Sequence, residues 1–505
     1  MSTIGQVALL FADKRVQQIK NYATNPLPVQ EKQLISLVKR AQKTLFGRKY
    51  QFKDIACNGD YQEAVPLFDY ERMKEWWNEY FEGNSSITWP GKTCYWGLSS
   101  GTTSGNKLLP VTADTIRTNR LGGRDTLAFY LHRSRDTKLL EGKMLFLGGS
   151  TTLQESRNGT FIGDNTGIMA RHIPFYTRPF YSPGLSVAML SNWEEKIAQT
   201  IAISSTQDIR LISGVPSWIS LMLESVLAHT GKETVKEVWP SLSVYIHGGM
   251  SFKPYSQTFA TLIGKPITYV DTYTATEGGM MGIQDRDQDT HMILITDLEV
   301  FYEFIPVEDL SKENPRRLTV DTVECGKNYA VAVSTNAGIW SYLIGDVIQF
   351  VSVFPHRFFF SSRTKTSLNA FGEHVTQEEM DAGIASACKK HDALVADYTV
   401  IPHYPKKDKI LPRHRWLVEF KKPADDPISF ITDVDEYIKS RNEDYQSHRN
   451  GDFGIDFPDL IILKQNTFYQ WLAEKGKIGG QHKVPRVLYG EEEFETLLSI
   501  SNSLN

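Results

Sequence analysis

Apolar residues recur at helical spacing along residues 29–45 and 70–81, and Trp76 and Trp77 fall on the second stretch, so both are predicted as helices with rings used for packing. Residues 7–12 form a short apolar run without a basic leader, which reads as helix rather than signal peptide. From residue 143 the pattern becomes strand, glycine turn and helix. Residues 144–147 run into Gly148-Gly149-Ser150, residues 193–203 read as helix, and Leu211-Ile-Ser-Gly-Val-Pro216 leads into a helical stretch at 218–227. Residues 244–247 end in Gly248-Gly249, and residues 266–270 make another strand. Strands that feed glycine turns and helices imply an α/β sheet with ligands near the strand ends.

Between residues 292 and 353 the texture changes to short β-rich runs, including 300–305, 329–334 and 347–354, and a β-barrel-like or small-sheet subdomain is expected there. A helix over 376–390 with an acidic first turn, strands over 397–401 and 415–420, and a helix over 428–441 after Pro427 follow. The expected architecture is a large α/β N-terminal domain, residues 1–362, and a small α+β C-terminal domain, residues 363–505.

Composition narrows the function. At 505 residues with 41% hydrophobic and 23% charged positions, the chain can bury more than one core. A net charge of −4 without a long basic block argues against nucleic-acid binding. No run approaches the roughly 18 apolar residues of a membrane span. Four cysteines without a Cys-x-x-Cys pair fit a reducing, cytoplasmic setting and no disulfide framework. No sequence feature marks an obligate protein partner.

The chemistry concentrates in four segments. Leu98-Ser-Ser-Gly-Thr-Thr-Ser-Gly-Asn-Lys107 combines small residues, hydroxyls and one lysine, a composition suited to cradling a polyphosphate. It is not a Walker loop, since Asn106 precedes the lysine and no Ser or Thr follows it. Tyr273-Thr-Ala-Thr-Glu277-Gly-Gly, Tyr342-Leu-Ile-Gly-Asp346, and Arg363-Thr-Lys365 with Asn369-Ala-Phe-Gly-Glu373 follow in order. Taken singly, Lys107 also fits a solvated lysine, Glu277 a helix-start glutamate, Asp346 a turn aspartate and His247 a structural histidine.

Together, and with the tail Lys475-Gly-Lys-Ile-Gly-Gly-Gln-His-Lys483-Val-Pro, these segments resemble the adenylate-forming superfamily and, within it, the Gretchen Hagen (auxin-responsive-promoter) family of acyl acid amido synthetases. The resemblance implies a mobile C-terminal domain and an ATP- and Mg²⁺-dependent ligase. Such an enzyme converts a small carboxylic acid to acyl-AMP and passes the acyl group to an amino acid amine. It assigns Ser99, Ser100, Thr102, Thr103 and Lys107 to the β- and γ-phosphates, Tyr273 to adenine, Thr276 to the α-phosphate and Asp346 to the ribose hydroxyls. Glu277 is assigned to Mg²⁺. Gly248 and Gly249 would border the nucleotide or acyl pocket.

Arg363 and Lys365 fall at the interdomain hinge, where Ser362 replaces the usual glycine. Lys483 corresponds to the catalytic lysine that a closing domain delivers, so Lys107, Glu277 and Lys483 are the expected catalytic set. Two alternatives stay open: an acyl-CoA ligase, differing in its thiol acceptor, and a non-catalytic nucleotide-binding homologue.

Overall fold

The computed structural model describes residues 3–100, 106–148, 153–156, 159–190, 192–287, 290–364, 368, 373, 375–403, 411–449, 455–478 and 482–504. The chain divides into two compact units. The first comprises residues 1–213, 241–249 and 267–360, and the second comprises 214–240, 250–266 and 361–505. The second unit thus draws two segments from the middle of the chain as well as its C-terminal part.

The first unit is organised by an 11-stranded sheet. Its parallel half runs through Thr268–Ala275, Val244–Gly248, Ile209–Ser213, Lys143–Phe146 and Tyr181–Ser182. The other half is antiparallel, through Gly279–Gln284, Met292–Leu294, Arg357–Arg363, Ile339–Ser352, Asn328–Thr335 and Val300–Pro306. The β-rich stretch expected as a subdomain therefore has no sheet of its own. It continues the parallel half, because the Thr268–Ala275 strand turns back as Gly279–Gln284 and passes pairing on to the strands beyond. A second, 4-stranded sheet carries Tyr95–Ser100 and Asn106–Val111.

Local chemistry explains the helices around these sheets. Asp69 caps Tyr70–Phe81 by accepting from Arg72 N at 3.0 Å, and Met73, Trp77 and Tyr80 form its buried face. Helix Ala113–Ser134 starts at Thr112, which accepts from Thr115 N at 3.1 Å. It lies flush on strand Gly279–Gln284, since a Cβ at Gly122 would stand 2.4 Å from Met280 Cβ.

In the second unit, Thr376 and Glu379 form a capping box at the start of helix Gln377–Lys390. A 3-stranded sheet of Leu394–His403, Arg413–Lys422 and Asp459–Leu463 packs with it and with helix Pro427–Lys439 around Met380, Ile384, Val400, Trp416 and Val434. No helix among the described residues is long and apolar enough to cross a membrane.

Candidate active site

The two strands that flank the loop pair antiparallel, Ser99 opposite Lys107 and Ser100 opposite Asn106. Thr102 and Thr103 lie outside the described residues, and Ser99 and Ser100 are placed as strand positions. The strand pair sits close to the next motif because Gly97 has no side chain: a Cβ there would stand 3.0 Å from Thr276 Cγ2.

Lys107 is half-buried. Its ammonium donates to the Tyr342 hydroxyl at 3.5 Å and lies 5.5 Å from the centre of the Tyr70 ring. Tyr70 is fixed in turn, its hydroxyl accepting from Leu108 N at 3.0 Å. The Tyr342 phenol is held above its ordinary range, first by burial and then by the neighbouring charge of Glu277, so it keeps its proton. Lys107, Tyr342 and Glu277 are therefore neighbours although far apart in sequence. Glu277 is buried, 7% exposed, in the turn of the hairpin between Thr268–Ala275 and Gly279–Gln284. It does not start a helix, which removes the helix-dipole reading of this carboxylate.

Asp346 accepts from the Tyr273 hydroxyl at 2.8 Å, joining the second and third motifs. Tyr273 is buried within strand Thr268–Ala275, its ring edge-on to Phe358 at 5.5 Å. Asp346 lies inside the long strand Ile339–Ser352, not in a turn before it.

Two left-handed residues in that strand, Ser341 (φ 41°) and Gly345 (φ 91°), bracket the stretch carrying Tyr342. Ser341 is pinned in its positive-φ conformation. Its N–H donates to Ser334 Oγ at 2.8 Å and its hydroxyl to the fully buried Glu303 at 2.6 Å, while Arg317 donates to Ser341 Oγ at 3.0 Å. The bulged strand thus aims Tyr342 and Asp346 at the site.

His247, Gly248 and Gly249 end a parallel strand. A Cβ at Gly248 would stand 2.4 Å from Thr272 O, Gly249 adopts φ 79°, and buried His247 places Nδ1 3.3 Å from Asp271 Oδ1. Arg363 ends its strand and belongs to the second unit, whereas Lys365 lies outside the described residues. Lys483, also in the second unit, lines a cavity of about 60 Å³ with Trp218, Glu419, Lys421, Tyr469 and His482. There Trp218 Nε1 donates to the carbonyl of His482 at 2.7 Å, and burial raises the Glu419 carboxyl. Sequence reasoning gave no role to Tyr70 or Tyr342. Tyr342 heads its motif and was legible as a candidate; Tyr70 lies in a helix whose aromatic spacing signals only packing.

Solved structures share this fold. AtGH3.15 acyl acid amido synthetase in complex with 2,4-DB superposes with a TM-score of 0.80 at 16% identity, covering 97% of this chain and 96% of that one. A 2-hydroxyisobutyryl-CoA ligase in the postadenylation state in complex with 2-HIB-AMP follows at 0.58 and 12% identity, over 94% and 92%. The fold is accordingly that of the acyl acid amido synthetases and, more distantly, of an acyl-CoA ligase. The GH3 family N-terminal, central and C-terminal domains match residues 15–213, 293–363 and 378–492, and the chain belongs to the GH3 family. Among curated relatives, indole-3-acetic acid-amido synthetase GH3.3 of Arabidopsis thaliana is 24% identical over 200 residues, 37% of this chain and 33% of that protein. The match therefore spans about a third of that relative's length. Indole-3-acetic acid-amido synthetase GH3.15 of Arabidopsis thaliana is 21% identical across 95% of this chain and 93% of its own.

Proposed function

We propose that this protein is an acyl acid amido synthetase that uses ATP to convert a carboxylic acid to an acyl-adenylate and then forms an amide with an amino acid. The observation that carries the proposal is the convergence, in one unit, of Lys107, Glu277 and Tyr342 with the bonded pair Tyr273–Asp346. Adenylation expels pyrophosphate as charge builds on phosphate oxygens, and a cation beside neutral hydroxyl donors is suited to meet it. Lys107 would meet the β- and γ-phosphates, with Ser99, Ser100, Thr102 and Thr103 supplying further donors. Thr276, brought against the strand pair by Gly97, would face the α-phosphate. Tyr273 would bound the adenine, and Asp346 has carboxylate acceptors for ribose hydroxyls.

Glu277 is a buried hard-oxygen ligand and would hold Mg²⁺, which supplies charge neutralisation on the phosphates when bound. Gly248 and Gly249 keep the strand end free of side chains beside this region. Residues 363–505 are proposed as a mobile domain, Arg363 and Lys365 acting at its hinge and Lys483 serving adenylation when delivered. A cytoplasmic setting and action without an obligate protein partner complete the reading.

The test is pyrophosphate exchange into ATP across a panel of carboxylic acids, with and without Mg²⁺, followed by amino acids or CoA. Acid-dependent, Mg²⁺-dependent exchange and AMP release on adding an amino acid are expected. AMP release with CoA alone would favour the thioester-forming ligase, and no exchange despite ATP binding would favour the non-catalytic homologue.

A further inference from the structure

A segment outside every motif, residues 65–70, runs along the bulged strand Ile339–Ser352 and then reaches Lys107. Arg317 donates to the carbonyl of Val65 at 2.7 Å and to Ser341 Oγ at 3.0 Å, which ties the segment to the first left-handed residue of the strand. Phe68 then pairs in parallel with Tyr342: its N–H donates to Ser341 O at 2.9 Å and its carbonyl accepts from Leu343 N at 2.8 Å. Arg72 lies over the Phe68 ring at 4.9 Å and donates to the carbonyl of Leu67 at 2.7 Å, so the following helix clamps this pairing.

Two residues beyond Phe68 the chain meets the lysine. Asp69 caps helix Tyr70–Phe81, which fixes the direction in which the first helical side chain projects. Tyr70 reaches strand Asn106–Val111, the edge of the 4-stranded sheet, and its hydroxyl accepts from Leu108 N at 3.0 Å. An edge N–H is thereby satisfied, and the ring is set under the Lys107 ammonium at 5.5 Å. The Tyr342 hydroxyl, at 3.5 Å, is the other contact of this ammonium, and among the described residues no carboxylate pairs with it.

A lysine head on a flexible four-carbon stem has to be held if it is to meet an anion without first losing side-chain freedom. A carboxylate would hold it and also cancel its charge. The face of an aromatic ring attracts the ammonium and leaves the charge intact for phosphate oxygens. We infer that Tyr70 is a positioning residue for adenylation, holding the Lys107 ammonium beside Tyr342 for the pyrophosphate portion of the nucleotide, while Phe68 fixes the strand that carries Tyr342. The inference rests on the reading of Lys107 as the cation of the β- and γ-phosphates and names the group that aims it.

The test measures acid-dependent pyrophosphate exchange in the full chain, with separate KM values for pyrophosphate and for the carboxylic acid. Tyr70→Leu removes the ring and is expected to raise the pyrophosphate KM about fivefold, the loss of one cation–ring contact, with the acid KM within about twofold of wild type. Tyr70→Phe keeps the ring and should stay within about twofold for both. Lys107→Met should raise the pyrophosphate KM at least about tenfold, the loss of a charged contact to phosphate. Adding Tyr70→Leu to Lys107→Met should then change it by less than about twofold, because Tyr70 acts through the ammonium. Exposed Lys74 also lies near the Tyr70 ring, at 5.9 Å, and Lys74→Met should leave the pyrophosphate KM at its wild-type value.

An unchanged pyrophosphate KM in Tyr70→Leu beside an impaired Lys107→Met overturns the positioning role and leaves the phosphate role of Lys107 standing. Losses that multiply in the double variant also overturn it, since Tyr70 would then act without the lysine. So do acid and pyrophosphate KM values that rise together, the mark of a general disturbance, and a Lys74→Met loss equal to that of Tyr70→Leu. A wild-type pyrophosphate KM in Lys107→Met overturns the reading of Lys107 itself, and absence of exchange in the wild type overturns adenylation.

Discussion

The core of the second unit and the candidate active site of the first hold their charges in different ways. In the second unit, buried Arg486 donates to Asp381 at 3.0 Å, to Asp397, and to the carbonyl of Tyr398 at 3.0 Å. Nearby, Arg449 grips Asp435 through Nε and Nη2, both at 2.9 Å. These are charge-to-charge contacts in the interior, and removing one member strands the other. At the candidate active site, Asp346 meets the hydroxyl of Tyr273 and Lys107 meets the hydroxyl of Tyr342. A charge held by a neutral hydroxyl can turn to a ligand without leaving an opposite charge buried and alone. The second-unit carboxylates are thus paired with arginines, whereas Lys107 and Asp346 each rest against a phenol hydroxyl.

The comparison breaks most visibly at Arg486. Arg486→Leu leaves Asp381 and Asp397 buried without their cation and should cost about 3–5 kcal/mol in denaturant unfolding of the second unit. A loss below about 1 kcal/mol would show that the cluster is not what holds that core. Glu277→Gln should do the reverse, lowering acid-dependent exchange by at least about 100-fold while the unfolding midpoint barely moves. Wild-type exchange in that variant would remove Glu277 from the mechanism. Asp346→Ala should weaken ATP binding by about 10- to 100-fold, as expected for lost bonds to a charged acceptor; calorimetry with unchanged affinity would contradict the ribose role.

The smallest effect concerns Lys196. Lys196 is buried, and burial lowers its ammonium to about 8, with Asp164 opposing the shift. The folded chain therefore binds this proton less tightly than the unfolded chain, whose lysine titrates near 10.5. Between those values the unfolded state holds more protons, so the contribution of Lys196 to stability rises with pH. Lys196→Met should flatten that rise in unfolding measured from pH 7.5 to 10.5, and an identical slope in both proteins would refute the burial effect.

Elements with strong local signals were legible in the sequence. Tyr70–Phe81 carries its own cap and apolar spacing, and Thr376 with Glu379 announces the helix that follows. The strand Ile339–Ser352 was read only from residue 347, because Gly345 and the polar Ser341 interrupt alternation where the chain takes positive φ. Cross-strand pairing with Asn328–Thr335 overrides that local signal. Helix Ala113–Ser134 was hidden by Gly122 and Gly123, and its reason is tertiary: Gly122 clears space for Met280.

The site residues could be named by motif, but their company could not. Lys107 and Tyr342 are 235 positions apart, and only the fold sets one beside the other.

The most direct test of the adenylate mechanism supplies a carboxylic acid labelled with ¹⁸O in both oxygens, together with ATP, Mg²⁺ and an amino acid, and weighs the products. An acyl-adenylate pathway puts one label in AMP and one in the amide. Label in inorganic phosphate with ADP as the nucleotide product, or amide formation without labelled AMP, would contradict the account.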